Sequence, residues 1–386
     1  MSIEDELRDT QSIAESSSPS DVPISTSFAP VSKEPAETRV LKWIVFSSKG
    51  IRVGWSVACF LFLTLFFSGI LELVVVLTVA KPLHINLEAF TPVSAMLQET
   101  VQFLPILGAA VVCALIEHRR ILDYNLSGPK RLRHFLTGLV AGTVALSVLV
   151  AALCAGGWLH FGPISLSGVQ IMQYGALWGI TFLLTGFAEE GSMRCYLLFT
   201  LTRGVNYWWA LGTVSSLCLF AWLNSHGNGS EGVYATALLG LLPCLLLHLK
   251  KSPSAGFWQA SWLTCTLFGY IHTFNPGETW IGIFSAAAIG FIFCVSIRLT
   301  GSAWWAIGFH ASWDWAQTFF YGTADSGLAP KGHFLTTTPA GATLWSGGSD
   351  GPEGSLLIVP TVLLILLVHI LVYGRKAQYE FPSTTV

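Results

Sequence analysis

Charged side chains are scarce in this sequence. Only 11% of its 386 residues are Asp, Glu, Lys or Arg, whereas 52% are hydrophobic, and the mean hydropathy is +0.60. Residues 134–188 contain no Asp, Glu, Lys or Arg, a run far longer than the roughly 20 apolar residues that one spanning helix needs. The composition therefore excludes a soluble protein and predicts several membrane-spanning helices. No basic footprint typical of nucleic-acid binding occurs.

Common signatures of catalysis and redox chemistry are missing as well. The eight cysteines are scattered through apolar segments without a C-x-x-C pair, so neither a disulfide framework nor a zinc-thiolate site is indicated. The usual zinc-protease and nucleotide-driven transporter signatures, H-E-x-x-H and the Walker sequence, are absent. Residues 347–351 match G-x-S-x-G, but no predicted strand precedes them, and we interpret the match as chance.

The apolar segments indicate how the chain is organised. Residues 1–45 are rich in Ser, Thr, Pro and Glu and lack the apolar run of a signal peptide, which predicts a disordered cytoplasmic tail. Residues 46–380 form the predicted transmembrane domain. The fold class is all-α, a polytopic transmembrane helix bundle of about 8 to 10 spans. Segments long enough to span lie at 55–80, 94–116, 135–157, 170–190, 206–223, 233–249, 257–273, 280–297, 302–320 and 355–374.

Basic residues fall mainly on alternate connections between these segments. By the positive-inside rule both termini face the cytoplasm, and we expect a protein of the bacterial cytoplasmic membrane. The loop at 322–354 is rich in Gly, Ser, Thr and Pro and falls on the opposite side of the membrane. It could cap an opening between helices, but a plain surface connection is the favoured interpretation.

Two glutamates and an arginine interrupt the apolar pattern. An ionisable side chain inside a bilayer costs at least about 2.5 kcal/mol, so each one needs a partner, a water-filled cavity or a function. Glu189, Glu190 and Arg194 follow the long uncharged stretch directly. On a helix Glu190 and Arg194 are i,i+4 neighbours that can pair, while Glu189 points about 100° away. The pattern predicts one glutamate held by the arginine and one available for chemistry.

Two histidines interrupt the apolar pattern further along. Phe268 and His272 lie one turn apart on a helix that an Asn-Pro-Gly sequence ends just beyond. His310 and Asp314 also lie one turn apart, so the carboxylate can orient the imidazole or both can face one ligand. Singly, such histidines are more often packing residues, and paired glutamates are often interfacial caps. Together, carboxylates and imidazoles are the groups that activate water, bind a metal or stabilise an oxyanion.

In these residues the sequence resembles the CAAX prenyl protease and bacteriocin-processing (CPBP, or Abi) family of intramembrane metalloproteases. That family has three motifs in order: Glu-Glu-x-x-x-Arg, Phe-x-x-x-His and His-x-x-x-Asn/Asp. The resemblance covers about residues 175–325, the predicted protease-like core. The motifs read here Glu189-Glu190-x-x-x-Arg194, Phe268-x-x-x-His272 and His310-x-x-x-Asp314.

Two departures from the family pattern change what is expected. An extra helical pair at about 206–249 separates the first two motifs, which makes His226 an alternative to His272. His272 is preferred because only it has a Phe one turn earlier. The third motif ends in Asp314 instead of the more usual Asn. Because an ionised Asp cannot donate a hydrogen bond, metal ligation or orientation of His310 is its expected role.

The resemblance implies an intramembrane endopeptidase that hydrolyses a peptide bond with an activated water. Its partners would be the lipid bilayer and membrane-associated peptides, with prenylated CAAX tails as one option. The implied catalytic residues are Glu189, Glu190, His272, His310 and Asp314, with Arg194 and Phe268 in support. The implied ligands of a divalent metal, zinc in the first place, are Glu190, His272, His310 and Asp314. Which glutamate is the general base, and whether a tightly held metal is required, stay open.

Alternatives remain for both topology and function. The span boundaries put Glu189 near the cytoplasmic end of its helix and His272 near the opposite end, although a joint site requires them to meet. Either the fourth helix runs on to about Leu201, or the topology is wrong by one helix. An ion- or proton-coupled transporter is the first functional alternative, but it would more often show repeated halves. A non-catalytic scaffold or immunity protein is the second, and the full set of motif residues argues against it.

Overall fold

The computed structural model describes residues 44–47, 50–225, 231–251 and 254–374. Residues 1–43 of the predicted tail and His226 lie outside these ranges. Each of the ten predicted spans falls on a helix, including the extra pair between the first two motifs. The helices are α1 Val53–Val75, α2 Pro92–Ile116, α3 Arg131–Ala155, α4 Val169–Glu190, α5 Leu198–Thr202, α6 Tyr207–Ser225, α7 Glu231–Lys250, α8 Ala255–His272, α9 Trp280–Thr300, α10 Trp304–Trp315, α11 Thr343–Ser346 and α12 Ile358–Tyr373.

Wider and narrower helical turns extend several of these helices. Two 3-10 turns occur, at Ile121–Asp123 and Pro352–Gly354. The π-helical turns, with an i to i+5 hydrogen-bond pattern, are Val76–Ala80 after α1, Gly191–Leu197 between α4 and α5, and Ala316–Phe320 after α10. Such turns are rare and occur frequently at functional sites. The second of them contains Arg194 of the first motif, and the third begins two residues after Asp314 of the third motif.

The length and apolar character of the helices fit a bilayer. Among the described residues, five helical stretches are long and apolar enough to cross a membrane: Val53–Ala80, Pro92–Ile116, Arg131–Ala155, Val169–Thr202 and Trp280–Thr300. Three shorter apolar helices are Tyr207–Leu223, Ala237–Lys250 and Ile358–Tyr373. Large apolar side chains such as Leu65 and Phe62 stay exposed on the outside of the bundle. The protein is therefore a multi-pass integral membrane protein.

Local sequence explains where two of the long helices begin. The Thr91 side chain accepts a hydrogen bond from the Ser94 amide at the start of α2, and Pro92 occupies the first helical position. The Thr279 side chain accepts from the Gly282 amide at the start of α9. That helix ends at Gly301, whose φ of +82° suits a residue without a Cβ.

Helices α3 and α10 pack through their backbones. Gly138 and Gly142 of α3 face the carbonyl oxygens of Trp305 and Phe309 in α10, where any Cβ would overlap them. Gly308 of α10 makes the reciprocal contact with the backbone of α3. Small residues four apart allow this close approach in membrane helices, where van der Waals packing supplies the association energy. The contact fixes the position of α10, the helix that carries His310.

The connection between α10 and α12 is folded back onto the bundle. Its strand β4, Leu335–Pro339, pairs antiparallel with β3, Leu159–Ile164, placing Leu159 opposite Pro339. Among the described residues the only other paired strands are the two-residue β1 Phe46–Ser47 and β2 Gly50–Ile51. Asp325, Ser326, Leu328 and Glu353 of this connection line an internal cavity of the bundle. The interpretation of this loop as a plain surface connection was therefore wrong.

Candidate active site

The two glutamates of the first motif lie inside one continuous helical stretch. Helix α4 ends at Glu190, the π-helical turn Gly191–Leu197 follows, and α5 continues to Thr202. The full stretch Val169–Thr202 is 34 residues long, so Glu189 and Glu190 lie in its interior. The helical stretch thus continues past Leu201, as the first of the two alternatives predicted.

Glu190 and Arg194 form an ion pair with both side chains fully buried. Arg194 Nη1 donates to Glu190 Oε1 at 3.3 Å, and Arg194 Nε lies 3.3 Å from Glu190 Oε2. The guanidinium carbon lies 4.1 Å from the ring centre of Phe268 and 5.5 Å from that of Phe293. A guanidinium over aromatic faces gains cation–π attraction, especially where water is excluded. The Phe of the second motif thus supports the Arg of the first.

Space for the guanidinium comes from a glycine on the neighbouring helix. A Cβ at Gly290 of α9 would overlap Arg194 Nη2. On the backbone side, Asn125 Nδ2 donates to the carbonyl oxygen of Arg194 at 2.8 Å. This bond satisfies a polar group in the π-helical turn, where the regular helix pattern is interrupted. The arginine is therefore fixed by its own carbonyl as well as by its side chain.

His310 is surrounded by three carboxylates. Its Nδ1 donates to Glu190 Oε1 at 2.8 Å, since an ionised carboxylate can only accept. Its Nε2 lies 3.6 Å from Glu189 Oε2 and 3.4 Å from Asp314 Oδ2. Glu190 thus sets the orientation of the imidazole and turns Nε2 toward Glu189 and Asp314.

His272 is anchored in the same manner but by a backbone group. It is the last residue of α8, and its Nδ1 donates to the carbonyl oxygen of Phe268 at 2.8 Å. The rings of Phe268 and His272 contact edge-on, with centres 4.6 Å apart. Because Nδ1 carries the proton of this bond, Nε2 of the neutral ring is left as an acceptor.

These side chains meet at one cavity of about 310 Å³. Glu189, His272, His310 and Asp314 line it, together with Phe268. Glu190 and Arg194 lie behind this lining and are not exposed. The structure therefore brings all seven motif residues together, four of them as polar lining groups and two as a buried support for His310.

The cavity also contains carboxylates that sequence reasoning missed. Glu99 of α2 lines it, as do Glu278, Asp325 and Glu353 from the connecting segments. For Glu99 a signal existed, because it is the only charged residue in the 25 residues of α2. For the other three no signal existed, because acidic residues in turn-rich connections are ordinary. No Lys or Arg is among the described residues that line this cavity.

Four acidic residues, Glu278, Asp325, Asp350 and Glu353, are called the loop carboxylates below. Burial raises the pKa of Glu353 to about 8, and repulsion by Asp325 and Asp350 adds to the increase. Burial raises the pKa of Asp325 to about 6, against the hydrogen bond from Thr318. Burial and the nearby Asp350 raise the pKa of Glu278 to about 9. We therefore expect Glu278 and Glu353 to hold protons at neutral pH.

Two sets of side chains have donor atoms suited to a metal. One oxygen each of Asp314, Asp325 and Glu353 lie within 4.8 Å of one another, an all-oxygen set of the kind that hard cations prefer. The oxygens of Glu189 and Asp314 lie 3.6 and 3.4 Å from His310 Nε2. Those separations are close to the about 3.3 Å between neighbouring ligands of a tetrahedral zinc ion. A zinc ion at His310 is thus compatible with the residues present.

A comparison with protein families supplies the class of this site. The family model described as type II CAAX prenyl endopeptidase Rce1-like matches residues 244–316. Over these residues the chain is similar to the Rce1-like family. The match indicates a peptidase and confirms the resemblance seen in the motifs. A search of curated proteins and a search of solved structures found no match.

The Rce1-like segment contains only part of the site. It includes Phe268 and His272 of the second motif and the whole third motif. Glu189 and Glu190 lie before it, separated from it by α6 and the first part of α7. In the structure they nevertheless lie within 3.6 Å of His310. The fold therefore brings the first motif to the Rce1-like segment across the extra helices.

Proposed function

We propose that the protein is an intramembrane endopeptidase in which Glu189 and the paired histidines activate a water molecule. The observation that carries this proposal is the position of His310, which Glu190 holds at 2.8 Å while its Nε2 faces Glu189 and the cavity. Such a carboxylate and imidazole, oriented by a further carboxylate inside a cavity, form the arrangement required for general acid–base hydrolysis.

Each residue then has a distinct role. Glu189 accepts a proton from the water as it attacks the carbonyl carbon, and the Nε2 acceptor of His272 orients that water. His310 in its protonated form donates from Nε2 to the developing oxyanion. The carboxylates around His310 stabilise the positive charge of its imidazolium. Glu190 is assigned to positioning, because Arg194 and His310 already occupy its oxygens. Asp314 restrains Nε2 of His310 from the other side.

A divalent metal fits this set as an alternative to the proton on Nε2 of His310, because a nitrogen that carries a proton cannot bind a metal. His310 and Asp314 would hold it, with His272 and Glu189 as further donors, and zinc suits the nitrogen and oxygen mixture. When bound, zinc would lower the pKa of the attacking water and polarise the carbonyl. Metal analysis of the purified protein and of its His310→Ala variant tests this component without an activity assay. Equal zinc contents would exclude His310 as a ligand.

The proposed substrates are membrane-associated peptides, with prenylated C-terminal segments as the first class to test. An apolar groove of about 900 Å³ lies between α3 and α12 on the outside of the bundle. It shares Phe309 and Ile365 with the lining of the catalytic cavity, and Val140 and Val144 form its wall. A lipid chain in this groove would place an attached peptide next to the site. The cytoplasmic location of both termini remains part of the proposal.

The direct test is cleavage of membrane-tethered peptides by the purified protein in detergent. Matched prenylated and unprenylated peptides are compared with wild type, Glu189→Gln and His310→Ala. Both variants should lose at least about a hundredfold in kcat. Glu72→Gln and His160→Ala serve as controls, since both side chains are exposed and neither lines the cavity.

Three outcomes would overturn the proposed function. Full activity in Glu189→Gln would remove the general base and with it the mechanism. If wild type cleaves nothing while ion flux into liposomes depends on Glu189, the protein is a transporter. If neither activity appears in wild type, the non-catalytic scaffold is the remaining alternative.

A further inference from the structure

Glu99 is a buried acid that the mechanism above does not use. It is the only charged residue of α2, whose 25 residues otherwise have the composition of a membrane span. A carboxyl group in that position costs free energy unless it has a partner or a function, and intramembrane ionisable residues usually face a functional cavity. Glu99 lines the cavity that also contains Glu189, His272 and His310.

The surroundings of Glu99 leave one of its oxygens without a protein partner. Oε2 is buried and has no hydrogen-bond partner among the described residues. The charged groups within electrostatic range are Glu189, His310 and Asp325, which belong to three different parts of the chain. Because the cavity has no described Lys or Arg in its lining, no permanent cation faces Glu99 there. A buried carboxyl oxygen without a donor is stable when the group itself carries a proton.

We propose that Glu99 is the general acid of the site, which protonates the leaving amine as the peptide bond breaks. This inference rests on the proposed function and adds a second acid–base group to it. Two carboxyl groups in one cavity divide a proton between them according to their surroundings. Glu189 faces Nε2 of His310 at 3.6 Å and is the better place for the negative charge. Glu99 is then the partner that holds the proton.

Glu189 and Glu99 together account for every proton that is transferred in the reaction. Water gives one proton to Glu189, and its oxygen bonds to the carbonyl carbon to form the tetrahedral intermediate. The carbon–nitrogen bond then breaks, the amide nitrogen takes the proton of Glu99, and a carboxylic acid and an amine are released. Glu99 is left ionised and Glu189 protonated. Return of that proton from Glu189 to Glu99 restores the starting state, so one water is consumed for each bond broken.

The test separates a general acid from a merely structural group. Glu99→Gln keeps the size of the side chain but cannot transfer a proton, so kcat for an amide substrate should fall at least about a hundredfold with little change in KM. An ester of the same sequence with a good leaving group needs no proton at that step. Glu99→Gln should therefore hydrolyse this ester at nearly the wild-type rate, whereas Glu189→Gln should not. Glu99→Asp should restore part of the amide activity.

An infrared measurement adds a readout that needs no substrate. The carbonyl band of a protonated carboxylic acid should be present in wild type and in Glu72→Gln at neutral pH and should weaken in Glu99→Gln. Unchanged intensity of this band overturns the proposal. Equal losses on amide and ester also overturn it, since they indicate a structural role. If Glu99→Gln cleaves amides like wild type while Glu189→Gln is inactive, the general acid is another group and the proposed function stands.

Discussion

Buried acidic side chains are compensated in different ways on the two sides of the cavity. On the helix side, Glu190 is balanced by Arg194, and Glu189 faces His310, all within 3.6 Å. On the loop side, Glu278, Asp325 and Glu353 line the cavity without a Lys or Arg among the described lining residues. There, protonation of carboxyl groups removes the kind of negative charge that Arg194 balances on the helix side. The first arrangement contains the permanent positive charge of Arg194, and the second depends on protonation of its carboxyl groups.

This difference indicates which part of the site is rigid. The arginine is held by its ion pair with Glu190 and by the Phe268 and Phe293 rings, and neither ring contact requires a proton to be gained or lost. The loop side is held by neutral carboxyl groups and by hydrogen bonds such as that from Thr279 Oγ1 to Asp350 Oδ2, at 2.6 Å. Removing a charge should therefore damage the helix side most and the loop side least.

The largest effect is expected for Arg194→Met. This change leaves Glu190 buried without a cation, which costs about 3–5 kcal/mol of unfolding free energy when one partner of a buried pair is removed. The double variant Glu190→Gln with Arg194→Met should regain most of that stability but not peptidase activity, because His310 loses its charged partner. Denaturant unfolding in detergent and the cleavage assay measure the two quantities.

The control for this prediction is an ion pair outside the bundle. Arg120 pairs with Asp123 at 2.9 Å with its own side chain 81% exposed, so Arg120→Met should cost less than about 1 kcal/mol. Equal losses for the two arginines would show that burial does not distinguish the pairs.

A smaller effect is expected for Gly290→Ala. The new methyl group would overlap the Arg194 guanidinium and force it away from Glu190, with a destabilisation of about 1–3 kcal/mol and a corresponding loss of cleavage. Gly212→Ala on α6 is the matched control, because a Cβ there meets nothing within 4 Å. Thermal unfolding of both variants checks the prediction. It fails if Gly290→Ala matches Gly212→Ala in stability and activity.

The smallest effect belongs to the loop side and appears only as a pH dependence. The pKa of Glu278 is raised to about 9 in the folded protein, whereas an unfolded Glu has a value of about 4.3. Between these values only the unfolded chain has released the proton, so rising pH favours unfolding. The midpoint of thermal unfolding of wild type should thus fall by a few °C relative to Glu278→Gln between pH 5 and 9.

The comparison for that measurement is an exposed acid. Glu88→Gln changes an exposed residue of the connection before α2 and should leave the pH curve parallel to that of wild type. Parallel curves for Glu278→Gln and wild type would show that the loop carboxylates do not store the protons assigned to them.

Hydropathy predicted most of the helical architecture because the bilayer imposes it. A chain in hydrocarbon has to form all of its backbone hydrogen bonds internally, so each apolar segment of sufficient length became a helix. The seven motif residues were also predictable, because charges and imidazoles are conspicuous in apolar surroundings. Hydropathy could not predict how far the glutamates lie from the end of their helical stretch. The continuation of α4 beyond Glu190 depends on the π-helical turn, which leaves no periodic signature in the sequence.

The loop side shows where sequence reasoning stops. Asp325 and Glu353 are 28 positions apart in a turn-rich segment, and only the fold of that segment brings them to the cavity. The β3–β4 pairing that ties this segment to the bundle joins residues more than 170 positions apart. Glu99 is a different case, because its position as the only charged residue of α2 is visible in the sequence.

The π-helical turn Gly191–Leu197 makes this stretch sensitive to chain length. Each residue added to or removed from an α-helix rotates everything after it by about 100°. A wide turn is one residue longer than the turn it replaces, so deleting a single residue there could leave a regular helix of normal appearance. That shorter helix would present a different side of α5 to α8 and would carry Arg194 away from Glu190. The register of the membrane span is thus itself a determinant of the active site.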